Sequence, residues 1–436
     1  EIGSGLVGSE MCIRDSKCLI LLAIVALLFV TEMIPLAMTA IGASVACCAL
    51  GLVPENQIFL GLADSTVVLF GGMFVVGAAM FYTGLAQKIG GGVVRMFGKG
   101  ENSLMFGIMI IAALMSAVLS NTGTTACLIP VVMGICANAK ISASRELMPL
   151  AFAAGLGGTI TLIGTPPNIL ANVALKAAGM PELQFGFFEY AWIGIPITIA
   201  GIVYMMFIGK YLLPKDSGTL NLEIDEEILE NETSTQKQII CGIIMVGVIG
   251  SMATGIVPLE IAAVVGAVIA VLTGCLTEKQ AYNSIDWVTI FLFAGMIPVA
   301  TAMNTSGAGK LIAEATVKML GGDPSPYMVT AVLFVLAVVL TQFMSNTASK
   351  ALLCPVGIAL SAQMGASPKA VLMAILIASS CAFASPVGTP PNTLVLGPGG
   401  YKFMDYLKAG TGLVAVCLIV SIIVIPIVWP FFPVSV

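Results

Sequence analysis

Along the chain, apolar runs long enough for a bilayer alternate with short polar breaks. A helix needs about 20 apolar residues to cross, and ten such crossings are legible. In the first half they fall near 18–31, 33–53, 66–82, 148–178 and 190–213; in the second, near 239–256, 258–276, 287–304, 370–400 and 411–430. The runs 148–178 and 370–400 are each interrupted by Gly-Thr-Pro-Pro-Asn. Two further apolar stretches, about 103–137 and 327–363, are interrupted by Ser-Asn-Thr and have the length of a helical hairpin that enters and leaves on one side. The pattern predicts an all-α polytopic membrane protein.

The pattern also repeats. Ile34-Pro35-Leu36 recurs as Val257-Pro258-Leu259, Gly72-Met73 as Gly295-Met296, and Ser120-Asn121-Thr122 as Ser345-Asn346-Thr347. Gly164-Thr165-Pro166-Pro167-Asn168 recurs unchanged as Gly388-Thr389-Pro390-Pro391-Asn392, and all four matches share an offset of roughly 224 positions. A fixed period of matched segments marks a duplication. The expected organisation is repeat 1 over 17–213, an acidic cytoplasmic linker over 214–238 and repeat 2 over 239–436. Residues 1–16 (EIGSGLVGSEMCIRDS) share neither composition nor period with the rest. They resemble translated adapter or vector sequence, are expected to be a non-native leader, and are set aside.

Each half holds an odd number of crossings, so the second copy must enter from the opposite side. Lysine and arginine collect in cytoplasmic loops. With segment 84–101 placed inside, eleven basic residues fall there, among them Lys88, Arg95, Lys99, Lys140, Arg145, Lys402 and Lys408. Five fall outside: Lys17, Lys176, Lys310, Lys318 and Lys369. Inverted repeats of this kind are a common plan of secondary transporters.

Composition then removes other classes. The chain is 58% hydrophobic and 9% charged, against about 25% charged in average soluble domains. It contains no histidine, which excludes a Ser-His-Asp triad, histidine metal ligation and an imidazole relay. A net charge of −5 offers no basic surface for nucleic acid, and no GxxxxGK[ST] loop points to ATP. The cysteines, odd in number and without a CxxC pair, read as small buried hydrophobes.

The chemistry belongs to the breaks. Backbone that leaves the helix inside a membrane must be buried in protein or line a polar cavity. Freed N–H groups and half-helix N-termini there favour an anion, and Ser, Thr and Asn add neutral donors. The same residues' oxygens can hold a small cation. Ser-Asn-Thr can also be a plain helix cap, but two copies at matched breaks favour a ligand. Ser116 precedes Ser120 by one helical turn, as Thr341 precedes Ser345, which turns each hydroxyl toward its break. Ser116, Asn121 and the Gly164 carbonyl could therefore surround one hard cation such as Na⁺, and Thr341, Asn346 and the Gly388 carbonyl another.

Paired Ser-Asn-Thr and paired Thr-Pro-Pro-Asn resemble the divalent anion/sodium symporters, over nearly all of 17–436. The resemblance implies an elevator-type homodimer that carries a di- or tricarboxylate, citrate or sulfate with Na⁺. It also implies substrate contacts at Ser120, Asn121, Thr122, Ser345, Asn346 and Thr347, with Thr389 and Pro390 beside them. Ser116, Ser120, Asn121 and Gly164 would form the first sodium site, and Thr341, Asn346 and Gly388 the second. Two departures stand out. The extra N-terminal helix usual in that family is not legible in this sequence and is expected to have been lost with the leader, and Lys350 stands where repeat 1 has Thr125 and the family commonly has a small or hydroxyl residue. A lysine one turn beyond Asn346 should approach the site, adding charge for a more anionic substrate or replacing a coupling cation.

The expected function is Na⁺-driven uptake of a small di- or tricarboxylate across the inner (plasma) membrane, with the lipid bilayer and the anion as partners. An anion exchanger or a sulfate or oxyanion permease is the alternative. A cation/proton antiporter is disfavoured because Glu32, Asp64, Glu260 and Asp286 all sit near helix ends. An intramembrane enzyme lacks any acid pair or metal constellation at the breaks.

Overall fold

A computed structural model describes residues 2–97, 100–214, 234–319 and 325–432, and among these every regular element is helical. The first half comprises α1 (Ile2–Thr31), α2 (Leu36–Ala49), α3 (Ser65–Tyr82), α4 (Leu85–Met96), α5 (Glu101–Ser116), α6 (Asn121–Ala139), α7 (Leu147–Gly157), α8 (Leu170–Ala177) and α9 (Ala191–Phe207). The second comprises α10 (Thr235–Thr254), α11 (Leu259–Leu272), α12 (Glu278–Ser284), α13 (Trp287–Ser306), α14 (Ala308–Met319), α15 (Pro326–Thr341), α16 (Asn346–Gln363), α17 (Pro368–Ser380), α18 (Pro390–Leu396) and α19 (Phe403–Val428).

Matched caps start matched helices. Pro35 and Pro258 precede α2 and α11. The Asp64 carboxylate accepts from Thr66 N at 2.9 Å to open α3, and Asp286 accepts from Thr289 N at 3.2 Å to open α13. Such caps satisfy backbone donors that the first helical turn leaves free.

Three outcomes differ from the sequence pattern. Helix α1 runs unbroken from Ile2, so the backbone of the set-aside leader continues into the first crossing. Helix α10 begins at Thr235 and takes the last positions of the expected linker, whose acids from Asp216 to Glu232 lie outside the described residues. Helices α4 and α14 were not expected. Each is 12 residues long, too short to cross, and mixes lysine with apolar positions, so no run of about 20 apolar residues announces it.

The halves meet through reciprocal contacts. Helix α2 packs on α13 and α3 on α11. A Cβ on Gly72 would lie 2.7 Å from the Ala263 carbonyl carbon, and one on Gly295 would lie 2.5 Å from that of Ala40. Glycine at both points lets the helices approach to backbone contact. The rings of Phe70 and Phe293, equivalent positions in the two halves, touch each other at 5.5 Å between centroids. The broken helices lie at the centre, with every residue of Leu147–Gly157 buried. Helices α10 and α19 instead present apolar side chains outward, among them Ile243, Val246, Ile423 and Ile427, as lipid-facing helices do.

Polar contacts close the two ends. Arg145 pairs with Glu101 at 2.7 Å, and the Tyr401 hydroxyl accepts from Met148 N while donating to Ser144 O. The counterpart of Arg145 in the second half, Lys369, pairs with Glu189 at 2.7 Å. Lys176 pairs with Asp64 at 2.6 Å.

Candidate functional site

Helices α5 and α6 form one hairpin, α15 and α16 the other, and each tip is built on Ser-Asn-Thr. Ser120 caps α6 by accepting from Gly123 N at 3.1 Å, and Ser345 caps α16 by accepting from Ala348 N at 3.2 Å. The caps and the ligand candidates are therefore the same residues. An accepting hydroxyl keeps its proton free to donate.

The asparagines turn inward from the tips to the neighbouring broken helix. One atom of the Asn121 amide lies 2.7 Å from Ser116 Oγ, 3.1 Å from Gly164 O and 3.3 Å from Ala154 O. The matching atom of Asn346 lies 2.7 Å from Thr341 Oγ1, 3.0 Å from Ser379 O and 3.2 Å from Gly388 O. As nitrogen that atom donates to the ring; as oxygen it completes an all-oxygen cluster of a kind hard cations take. Each predicted trio is thus brought together: Ser116, Asn121 and Gly164 in one cluster, Thr341, Asn346 and Gly388 in the other. Ser120 stays on the tip, outside the first cluster's contacts.

The glycines make this approach possible. A Cβ at Gly164 would sit 3.0 Å from Ser116 O, one at Gly388 would sit 2.7 Å from Thr341 O, and one at Gly158 would collide with the Asn121 side chain.

Asn168 and Asn392 hold the breaks open. Asn168 Nδ2 donates to Gly158 O and Thr161 O, both at 3.0 Å; Asn392 Nδ2 donates to Ala382 O at 2.8 Å and Ser385 O at 2.9 Å. Their backbone oxygens accept from Tyr190 and Tyr406 hydroxyls at 2.8 and 2.7 Å. These asparagines and tyrosines escaped the sequence reading as site-builders. The asparagines stood in plain view within the pentapeptide, whereas the tyrosines follow them at unequal spacings.

The remaining candidates separate. Thr122 is exposed on its tip, Ser345 and Thr347 are half-buried, Thr389 is buried at the residue before α18 with no capping bond from its side chain, and Pro390 is exposed. Lys350 is fully buried and donates to Asn168 Oδ1 at 3.0 Å and Ser380 Oγ at 2.8 Å, linking the two breaks. A cavity of about 340 Å³ opens between α3 and the first tip, lined by Phe70, Phe74, Phe81, Ser120, Gly123 and Pro166. Among the described residues no three His, Cys, Asp or Glu side chains form a metal cluster.

Comparison with known proteins adds a family. A model described as a citrate transporter matches residues 26–356 and 343–434. An uncharacterized transporter of Haemophilus influenzae is 31% identical, over 93% of this chain and 90% of its own. The sodium-dependent dicarboxylate transporter SdcS of Staphylococcus aureus is 26% identical, over 93% of this chain and 84% of its own. Among solved structures, the YdaH transporter of Alcanivorax borkumensis shares the fold with a TM-score of 0.63 at 17% identity, covering 97% of this chain and 99% of that one.

Proposed function

The chain belongs to the citrate transporter family, and from that premise we propose that it takes up a small di- or tricarboxylate of the succinate, malate and citrate class, coupled to Na⁺. It is an integral multi-pass membrane protein and a transporter, not an enzyme. One observation carries the proposal: the two hairpin tips each pair an asparagine amide with a hydroxyl and two carbonyls at 2.7–3.3 Å. A neutral oxygen cluster beside a helix N-terminus suits a cation and an anion held next to each other. In this reading the clusters of Ser116, Asn121 and Gly164 and of Thr341, Asn346 and Gly388 take Na⁺. Ser120, Thr122, Ser345, Thr347, Thr389 and Pro390 face the anion.

The reciprocal contacts of α2, α3, α11 and α13 support inverted repeats around a pseudo-two-fold axis. The cavity between α3 and the first tip supports an elevator, in which hairpins and broken helices slide against that frame in each protomer of a homodimer. The sodium-dependent dicarboxylate transport named for SdcS agrees with this reading. Uptake of labelled succinate, citrate and sulfate into proteoliposomes, with and without an inward Na⁺ gradient, tests it. Stimulated uptake of a carboxylate is expected; absence of Na⁺ stimulation for all three anions would overturn the coupling. Anion exchange remains a second reading because Lys350 places a positive charge inside the protein.

A further inference from the structure

Lys350 is buried between the breaks without a counter-charge. None of the ion pairs among the described residues includes it, and both acceptors of its ammonium, Asn168 Oδ1 and Ser380 Oγ, are neutral. Asn168 cannot turn away, because its Nδ2 is held by Gly158 O and Thr161 O. The amide therefore presents its oxygen to the lysine. Ser380 directly follows Ser379, whose carbonyl belongs to the second oxygen cluster and accepts from Thr341 Oγ1 at 2.8 Å. The ammonium thus stands one peptide unit away from that cluster.

The first cluster has no such neighbour. At the position equivalent to Lys350 stands Thr125, whose hydroxyl donates to Asn121 O at 2.9 Å within its own helix. At the position equivalent to Ser380 stands Leu156. A cation entering the first cluster meets only neutral groups; one entering the second meets, while Lys350 is protonated, a positive charge held on the residue next to Ser379. Two unit charges ~6 Å apart at an effective dielectric of ~20 repel enough to weaken binding about 100-fold.

We propose that Lys350 is a tethered cation that stands in for an ion at the second cluster, so that the protein carries one Na⁺ fewer per anion than its two clusters could hold. The charge travels with the protein in both directions, and the divalent substrate supplies its missing counter-charge. The inference rests on the clusters being Na⁺ sites, as argued above.

The test compares wild type with Lys350→Met, Lys350→Thr and Lys350→Arg in proteoliposomes, using labelled succinate and citrate. Reversal potentials of the transport current against imposed Na⁺ gradients read the number of Na⁺ moved per anion. Neutral variants are expected to move one more Na⁺ per anion and to half-saturate at lower Na⁺, while Lys350→Arg keeps the wild-type ratio. Thermal melts of detergent-solubilised protein in Na⁺ against K⁺ read ion binding without transport and check folding. There the neutral variants should gain a larger Na⁺-dependent shift than wild type. Na⁺-driven uptake with an unchanged ratio in both neutral variants would overturn the tethered-cation role alone. Neither Na⁺ stimulation nor a Na⁺-dependent shift in any form of the protein would overturn the sodium reading of both clusters.

Discussion

Asn168 and Asn392 each donate Nδ2 to two carbonyls of their own break and each accept a tyrosine hydroxyl on their backbone oxygen, yet only Asn168 has a partner for its side-chain oxygen. That partner is Lys350. Asn392 Oδ1 and Thr124 Oγ1 are buried with no partner among the described residues. The cause lies in three positions. Lys350, Ser379 and Ser380 in the second half correspond to Thr125, Gly155 and Leu156 in the first. Ser349, the counterpart of Thr124, finds Ser379 Oγ at 3.4 Å, whereas Thr124 faces a position without a side chain. The two breaks share a backbone plan and differ in how firmly polar side chains tie it. Lys350 ties Asn168 of the first break to Ser380 of the second, while each half keeps one unused buried group, Thr124 Oγ1 on the first hairpin and Asn392 Oδ1 in the second break.

The sharpest way to break this comparison is to remove the amides in turn. Asn121→Ala is expected to lower Na⁺-driven uptake by about 100-fold or more, as removal of an ion ligand should. Asn346→Ala should cost less, because Lys350 still supplies positive charge beside its cluster. Initial uptake rates across a Na⁺ titration measure both, and equal losses would remove the asymmetry.

The shared frame should respond symmetrically. Gly72→Ala and Gly295→Ala each drive a Cβ into the opposing backbone, and overpacking of this kind costs about 1–3 kcal/mol. Both should lower Tm by similar amounts in detergent, whereas Gly71→Ala, with nothing within 4 Å of its Cβ, should leave it unchanged. A loss at one glycine only would mean that the halves do not share the frame equally.

A further difference concerns Glu146, whose counterpart is Ala370. Glu146 is fully buried at the start of α7, and neither carboxylate oxygen has a partner among the described residues. Burial pushes its carboxyl up to about 8, with Glu101 adding to the rise and Arg145 opposing it. A carboxyl raised on folding stabilises the folded state at low pH. The contribution is present below the ordinary value near 4.5 and is lost as pH rises toward about 8. Wild-type Tm should therefore fall between pH 5 and pH 8, and Glu146→Gln should flatten that slope; an identical slope in the variant would contradict the burial argument. The smallest effect is expected at the orphaned hydroxyl. Thr124→Val should leave Tm unchanged or raise it slightly, while Ser349→Ala should lower it by about 0.5–1.5 kcal/mol of stability.

Much of the fold was legible because membrane helices announce themselves by length. The paired motifs also located the breaks, and the one-turn spacing of Ser116 and Thr341 located the oxygen clusters. What escaped lacked those signals. Helices α4 and α14 are short and two-faced. Glu146 follows Arg145 just ahead of an apolar run and looks like a loop charge, although Arg145 is already committed to Glu101. Lys350 was expected to approach the site, but its partner there, Asn168, lies 182 positions away, a contact that no local pattern encodes.

The contact between Phe70 and Phe293 has one more consequence. A side chain that meets its own counterpart cannot change alone: enlarging either ring crowds both halves at once, and shrinking either leaves a void that both must close. Specialisation of one copy is blocked at such a point and remains open at the breaks, where each residue faces a different neighbour. The frame is thereby held to a common shape while the interiors of the two breaks are free to diverge.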